Sequence, residues 1–466
     1  MNLTSLHSVY FLGIGGIGMS AIARWFNHIG IKVSGYDKTP SPLTEALENE
    51  GMYIHFEDNM ELIPKDFLLN KANKLVVWTP AIPKDSQLLR YFSAQGFILK
   101  KRSEVLGIIT RDMETVAVAG THGKTTTSSM IAHLLKNAGR NTAAFLGGLT
   151  QNYESNLILH DEGSKAPPIV VVEADEFDRS FLQLHPNISV VTSIDPDHLD
   201  IYGDADQLLE GFKSFLHLTH ADGRILINRT AFDKVKDTSF KTASLKEYGL
   251  KRGEIHGENI KPGRTSFLFD YVSLDDRINN LELKVPGFHN IENAIAAISV
   301  ARYYGIHEEE IRKGISSYKG VKRRFEIIFQ NEDLTYIDDY AHHPEEIKAF
   351  LQSIKAMFPG KKVTAIFQPH LFSRTRDFAE GFSESLSLAD EVLLMEIYPA
   401  REKPIEGVTS SMLLQDMKIQ NKHVLEKEAI LPYLGKNRPE ILVTIGAGDI
   451  DRMVPLIAKW IKDGKG

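Results

Sequence analysis

The feature that most constrains this chain is the run Gly120-Thr121-His122-Gly123-Lys124-Thr125-Thr126. It follows an apolar stretch at 115–119 that reads as a strand. It precedes a helical stretch at 127–138, which is closed by Gly139. Strand, glycine-bearing turn, then a helix opening at Lys-Thr-Thr is α/β architecture at its most local. Glycines let backbone N–H groups curl round phosphate oxygens, and a helix N-terminus adds partial positive charge. The spacing puts Lys124 where it neutralises the outer phosphates of ATP or GTP, and Thr125 where its hydroxyl reaches Mg²⁺. One departure stands out. The common phosphate loop wants a glycine at the position of Val118, and the nearer glycine here is Gly120.

The rest of the chain keeps the same rhythm of apolar strands, turn signals and helices, which predicts mostly parallel α/β sheets. A length of 466 residues predicts roughly three domains. We place boundaries near residues 113 and 322, giving units 1–113, 114–322 and 323–466. Strands are expected at 8–12, 32–36, 75–79, 169–173, 188–194, 335–339, 362–367, 391–397 and 441–445. The polar, turn-rich segment 239–284 reads as a hairpin region and 320–325 as a linker. The formal charge of −7 disfavours non-specific nucleic-acid binding, so any basic site is local. With no cysteine, disulfides, thiolate metal sites and cysteine nucleophiles are excluded. The N-terminus has no signal-peptide pattern, and no apolar run approaches the ~18 residues of a membrane span. A cytoplasmic location without membrane insertion is expected.

Several strand ends carry polar residues of chemical interest. Gly13-Ile14-Gly15-Gly16-Ile17-Gly18, with Asp37 beyond the next strand, matches the pattern that holds a diphosphate on a helix N-terminus. A tight structural turn would use the same glycines. Two nucleotide sites in one chain leave two readings: a dehydrogenase with an added ATP domain, or a substrate that itself carries a nucleoside diphosphate. Glu173 ends a buried strand in line with the phosphate loop, where Mg²⁺ needs a hard oxygen ligand. His198, among Asp195, Asp197 and Asp200, suits either a second metal ligand or a surface loop. Asn290 and Asn293 share one helical face and suit an adenine edge, although Asn290 also suits a helix cap. Arg323 and Arg324 form a fork able to clamp a phosphate. His342, His343, Arg374, Arg376, Asp377 and Asp449 fall in loops after strands, the ligand-binding face of such sheets.

Taken together, these segments resemble the Mur ligases, the ATP-dependent enzymes that build the peptide stem of bacterial peptidoglycan. The resemblance spans the whole chain. It is carried by residues 13–20, the GTHGKTT loop, Glu173, Asp195-Pro196-Asp197-His198, His289-Asn290-Ile291-Glu292-Asn293, Arg323-Arg324 and Asp339-Tyr340-Ala341-His342-His343-Pro344. Gln368-Pro369-His370, Ser373-Arg374-Thr375-Arg376-Asp377 and Tyr398-Pro399-Ala400 are most similar to the members that add L-alanine. The muropeptide-recycling members, which add a tripeptide, would be expected to carry Glu-Pro-Arg-Ser-like residues in place of Gln-Pro-His. Other members carry a modified, metal-supporting lysine at the position of Phe212, and the alanine-adding ones are similar to this chain in lacking it.

The resemblance implies three domains: a Rossmann-like UDP-binding domain, a central phosphate-loop ATPase domain with a parallel sheet, and a Rossmann-like domain for the amino acid that closes over ATP. It implies ATP and Mg²⁺, with UDP-N-acetylmuramate and L-alanine as substrates, in a monomer or homodimer. The UDP substrate would meet Gly13, Gly15, Gly16, Ile17, Gly18, Asp37, Thr79 and Pro80. ATP would meet Gly120, Thr121, His122, Gly123, Lys124, Thr125, Thr126, Asn290, Asn293, Arg324 and Asp339. The amino acid would meet His343, His370, Arg374 and Arg376. Thr125 and Glu173 would hold one metal ion and His198 the other, with Lys124, His198, Arg324 and His342 as catalytic groups.

Overall fold

The computed structural model describes residues 3–111, 113–161, 163–195, 202, 204–242, 244–400 and 402–465. Three sheets carry the chain. The first is wholly parallel. It joins β1 (Ser8–Leu12), β2 (Lys32–Tyr36), β3 (Tyr53–His55), β4 (Lys74–Trp78) and β5 (Ile98–Lys101) in the order β3-β2-β1-β4-β5. After β1, Gly13 and Ile14 donate to Tyr36 O and Gly16 donates to Gly13 O. This winds the glycine run into a turn, so that α1 (Ile17–His28) begins inside it.

The central sheet contains β6 (Glu114–Ala119), β7 (Thr142–Thr150), β8 (Ser155–Ile158), β9 (Ile169–Glu173), β10 (Ile188–Val191), β11 (Arg224–Asn228) and β12 (Leu245–Gly249). They lie in the order β12-β11-β10-β6-β9-β7-β8, parallel except for the β7–β8 pair. Strands β9 and β6 are buried apolar runs, as expected of a parallel sheet covered on both faces. β10 ends at Val191, three residues short of the sequence expectation. Its continuation leaves the ladder because Thr192 and Ser193 turn to the phosphate loop: Thr192 Oγ1 donates to His122 O, and His122 N–H donates to Ser193 Oγ. The turn-rich segment forms β13 (Ile255–Pro262), β14 (Phe267–Val272) and β15 (Arg277–Leu283), with tight turns closed by Gly263 N–H to Ser266 O and Ser273 N–H to Asp276 O. This agrees with the hairpin expectation.

The third sheet has β16 (Glu326–Gln330), β17 (Thr335–Asp339), β18 (Val363–Phe367), β19 (Glu391–Leu394), β20 (Asn421–Val424) and β21 (Ile441–Ile445). The order is β16-β17-β21-β18-β19-β20, and only β16 is antiparallel. Residues 320–325 are not a free linker. Arg323 O accepts from Tyr340 N–H, Arg323 Nε donates to Asp338 Oδ2 and its Nη2 to Gly446 O, and Phe325 N–H donates to Asp339 Oδ2.

The chain divides into two compact units. One comprises 1–257, 271–278 and 293–315, and the other 258–270, 279–292 and 316–466. Within the first, one apolar core runs without interruption from β1 and α1 to β6, β9 and β11. The buried Asn156 ties the two sheets of this unit together, donating to Ile17 O and Ser20 Oγ at the start of α1 and accepting from Arg24. Among the described residues no helix is long and apolar enough to cross a membrane.

Candidate functional site

Helix α2 (Arg102–Thr110) precedes β6, and the phosphate loop leaves the C-terminal end of β6 and becomes α3 (Lys124–Asn137). Two glycines are required by the backbone. Gly120 has φ +137°, and a Cβ there would lie 2.1 Å from Thr192 Oγ1. Gly123 caps α3 at φ +79°, and a Cβ would lie 2.8 Å from Asn293 Oδ1. The loop is clamped from below by the segment after β10. Thr121 Oγ1 and Ser193 Oγ are 2.8 Å apart, and Thr121 Oγ1 accepts from Asp195 N–H at 3.0 Å. Asn293, on α4 (Phe288–Tyr303), therefore stands directly against the loop. Asn290, the third residue of the same helix, donates its amide to Pro286 O, a local contact four residues back.

Two polar pairs occupy the mouth of the loop. Thr125 Oγ1 lies 3.0 Å from both carboxylate oxygens of Glu173. Gly147 N–H donates to Glu173 Oε2 at 2.7 Å, and a Cβ on Gly147 would lie 2.2 Å from that oxygen. The hydroxyl and carboxylate form a hard-oxygen donor set, which fits Mg²⁺ bound by one or two protein oxygens plus phosphate oxygens and water. Among the described residues no three His, Asp or Glu side chains converge as a metal cage. His198 lies outside the described residues. The second pair was not foreseen. Lys124 Nζ is 2.9 Å from both oxygens of Glu176, which is fully buried, and it also donates to Gly120 O at 2.5 Å. Burial opposes the lysine's charge, but Glu176, Asp175 and Glu173 outweigh it and raise the Lys124 pKa. Burial raises that of Glu176, against the pull of Lys124. The acidic run Ala174-Asp175-Glu176 after a buried strand was the available signal.

At the first glycine loop, Gly15 N–H donates to Asp37 Oδ2 at 2.8 Å and Thr39 N–H to Asp37 Oδ1 at 3.2 Å. Through Gly15, Asp37 thus braces the glycine loop's own backbone, and through Thr39 the turn that follows it. A Cβ on Gly15 would meet Thr44 Cγ2 at 2.7 Å and Asp37 Oδ2 at 2.8 Å, so this glycine is needed for internal packing. Gly16 packs near Gly13 O, and Thr79 Cγ2 and Ile82 cover Gly13; the neighbouring Pro80 is exposed. Ile17 and Gly18 open α1, which no side chain caps.

In the second unit, loops after β17, β18 and β21 gather the third group of residues. Burial pushes the His342 imidazole down to about 4, with Glu346 opposing and Arg374 and Arg324 reinforcing the fall. Its ring lies 6.3 Å from that of His370, which stacks on Tyr398 at 5.8 Å. Arg324 faces the Tyr340 ring at 4.9 Å and Glu346 Oε1 at 3.9 Å. Asp339 is buried, and burial pushes its carboxyl up to about 7, with both oxygens accepting from the backbone of Phe325 and Ala341. His343 caps α5 (Pro344–Met357), accepting from Glu345 N–H, and its ring packs on Phe378. Pro344 takes the first helical position, where its fixed φ suits the turn and its missing N–H costs no bond. Gln368 is fixed between Asp449 Oδ1 and Ile450 N–H. The two arginines of the SRTRD segment diverge. Arg374 turns inward, while Arg376 is exposed and paired with its neighbour Asp377. Arg324, His342, His370 and Arg374 are thus drawn together, and Arg376 is not.

The chain matches the Mur ligase family catalytic domain over residues 8–113, the Mur ligase middle domain over 118–301 and the Mur ligase glutamate ligase domain over 323–447. It is 48% identical to the UDP-N-acetylmuramate–L-alanine ligase of Cytophaga hutchinsonii, covering 97% of each chain. It is 48% identical to the enzyme of that name from Flavobacterium johnsoniae, over 99% of this chain and 100% of that one. Among solved structures it resembles the UDP-N-acetylmuramate–alanine ligase of Thermotoga maritima, with a TM-score of 0.80 and 28% identity over 98% of this chain and 99% of that one. The murein peptide ligase of Psychrobacter arcticus shares the fold, with a TM-score of 0.71 at 22% identity over 97% of this chain and 98% of that one. With its phosphate loop, paired hydroxyl and carboxylate, and near-full-length relatives, the chain belongs to the Mur ligase family.

Proposed function

We propose that this chain is an ATP-dependent ligase that joins L-alanine to the carboxylate of UDP-N-acetylmuramate, in peptidoglycan synthesis. The observation that carries the reading is the Thr125–Glu173 pair at 3.0 Å beside Lys124. The names of the near-full-length relatives support the choice of substrates. The γ-phosphoryl group of ATP passes to the substrate carboxylate, giving an acyl phosphate and ADP. The alanine amine then attacks the acyl carbon, the tetrahedral intermediate collapses, and phosphate leaves with the amide bond formed. Catalysis of this kind is mostly positioning and charge neutralisation. The loop amides and Lys124 hold the phosphates, and Thr125 with Glu173 would hold Mg²⁺, which supplies charge neutralisation at the phosphoryl oxygens. His198 is proposed as a ligand of a second ion.

Arg324 is proposed as a charge-stabilising group and His342 as a hydrogen-bonding group at the reacting centre. His342 stays neutral near pH 7, because its pKa lies at about 4. His343, His370 and Arg374 are proposed to receive the amino acid. Arg376, exposed and paired with Asp377, is a weaker candidate for that role. The glycine loop with Asp37, Thr79 and Pro80 is proposed to hold UDP. Domain boundaries near 113 and 322 accord with this division of labour.

The test is phosphate release with ATP, Mg²⁺ and UDP-N-acetylmuramate, comparing L-alanine with the tripeptide L-alanyl-γ-D-glutamyl-diaminopimelate at equal concentration. L-Alanine is expected to turn over and the tripeptide to give little. Faster turnover with the tripeptide would replace the reading by a recycling ligase. NAD(P)H oxidation without phosphate release would replace it by an oxidoreductase.

A further inference from the structure

Gly18 ends the first glycine run, and a third glycine in such a run ordinarily permits helix–strand packing. Here it clears a path for an arginine. A Cβ on Gly18 would lie 2.6 Å from Arg102 Nη1 and 3.3 Å from its Cδ and Cζ. Arg102 opens α2, and its Nη2 donates to Asp175 Oδ2 at 3.2 Å. Among the described residues its Nε and Nη1 donate no hydrogen bond, so the fork keeps donors in hand. The side chain is 22% exposed. Ile17, Gly18, Arg102, Gly147, Glu173 and Asp175 line a cavity of about 210 Å³. One wall is the uncapped start of α1 and the other is the carboxylate that faces Thr125.

We propose that Arg102 grips a phosphate of the UDP substrate's diphosphate at the start of α1, and that residue 18 is glycine to let it reach. The inference rests on the substrate assigned above. A guanidinium fork matches phosphate oxygens in pairs, which a lysine point charge does not. Asp175 holds the fork in place beforehand, so less side-chain freedom is lost on binding. A substrate anchored there has its carboxylate end directed along the cavity toward Glu173. Arg102 is therefore a binding residue for the diphosphate and a positioning residue for the reacting carboxylate.

Steady-state kinetics test this on Arg102→Ala, Arg102→Lys, Gly18→Ala, the Gly18→Ala/Arg102→Ala double variant and Asp175→Asn. A charge-assisted pair of hydrogen bonds predicts a rise of about 10- to 100-fold in KM for UDP-N-acetylmuramate in Arg102→Ala, with KM for ATP unchanged. Arg102→Lys should fall between. Gly18→Ala should resemble Arg102→Ala, and the double variant should be no worse than either, because both remove the same contact. Asp175→Asn loosens the brace but leaves the fork, so KM for UDP-N-acetylmuramate should rise clearly less than in Arg102→Ala. An unchanged KM in Arg102→Ala, additive losses in the double variant, or an Asp175→Asn variant that copies Arg102→Ala would each overturn the inference. The last result would make Arg102 a strut. If the wild-type protein fails to turn over UDP-N-acetylmuramate, it is the assigned reaction that falls. Calorimetric titration of UDP alone then decides the role of Arg102: weaker binding by Arg102→Ala supports it, and equal binding refutes it.

Discussion

Replacing Glu176 with glutamine should destabilise the free protein and make it lean harder on nucleotide. Glu176 is fully buried, and both its oxygens lie 2.9 Å from Lys124 Nζ. Removing one partner of a buried ion pair costs about 3–5 kcal/mol, because the other charge is left uncompensated. Lys124 would keep its bond to Gly120 O and the fields of Asp175 and Glu173, so the lower end, about 3 kcal/mol, is expected. Urea denaturation followed by circular dichroism reads the loss. Added ATP should then stabilise the variant more than the wild type. Its phosphates supply the missing negative charge, whereas in the wild type they compete with the Glu176 carboxylate for Lys124. A loss below about 0.5 kcal/mol, the range of ordinary surface changes, would refute the argument. So would a smaller ATP shift than in the wild type, since Glu176 would then not be what holds the lysine charge.

Gly147→Ala should place a methyl group within 2.2 Å of Glu173 Oε2, displacing the carboxylate from Thr125; a misplacement of about 1 Å predicts roughly a 100-fold fall in kcat. Phosphate-release assays across Mg²⁺ concentrations check this, and an unchanged kcat and Mg²⁺ requirement would refute it. Burial pushes the His133 imidazole down to about 4. It is neutral in the folded chain but protonates near its ordinary value of 6.5 when unfolded. Its contribution is therefore complete above pH 6.5 and is lost as pH falls toward 4, amounting to about 3 kcal/mol. Denaturation midpoints of His133→Asn should fall less between pH 7 and 4 than those of the wild type, and parallel curves would refute the assignment.

Much of the site was legible because its grammar is local. A strand end, two glycines and Lys124-Thr125 lie within one short stretch, and each is dictated by backbone geometry near its own position. The same holds for Glu173 at the end of β9, and for Pro344 opening α5. What stands opposite each of these groups was not legible. Lys124 meets Glu176 across 52 positions, His122 meets Ser193 across 71, and Arg102 meets Asp175 across 73. An alternating or helical pattern tells which face of an element is buried but carries no information about the partner that covers it. Asp37 likewise reads as a ligand group from its spacing, yet Gly15 N–H of the glycine loop and Thr39 N–H beyond it each engage one of its oxygens. Arg374 and Arg376 are equivalent in the sequence motif and diverge in the fold, because two residues along a short helical turn point to different sides. The sequence by itself determined the three-sheet α/β design and the phosphate-binding chemistry, since these follow from short-range backbone rules. Only the tertiary structure decided which charges neutralise one another and which remain for a ligand, since that depends on contacts between strand ends far apart in the chain.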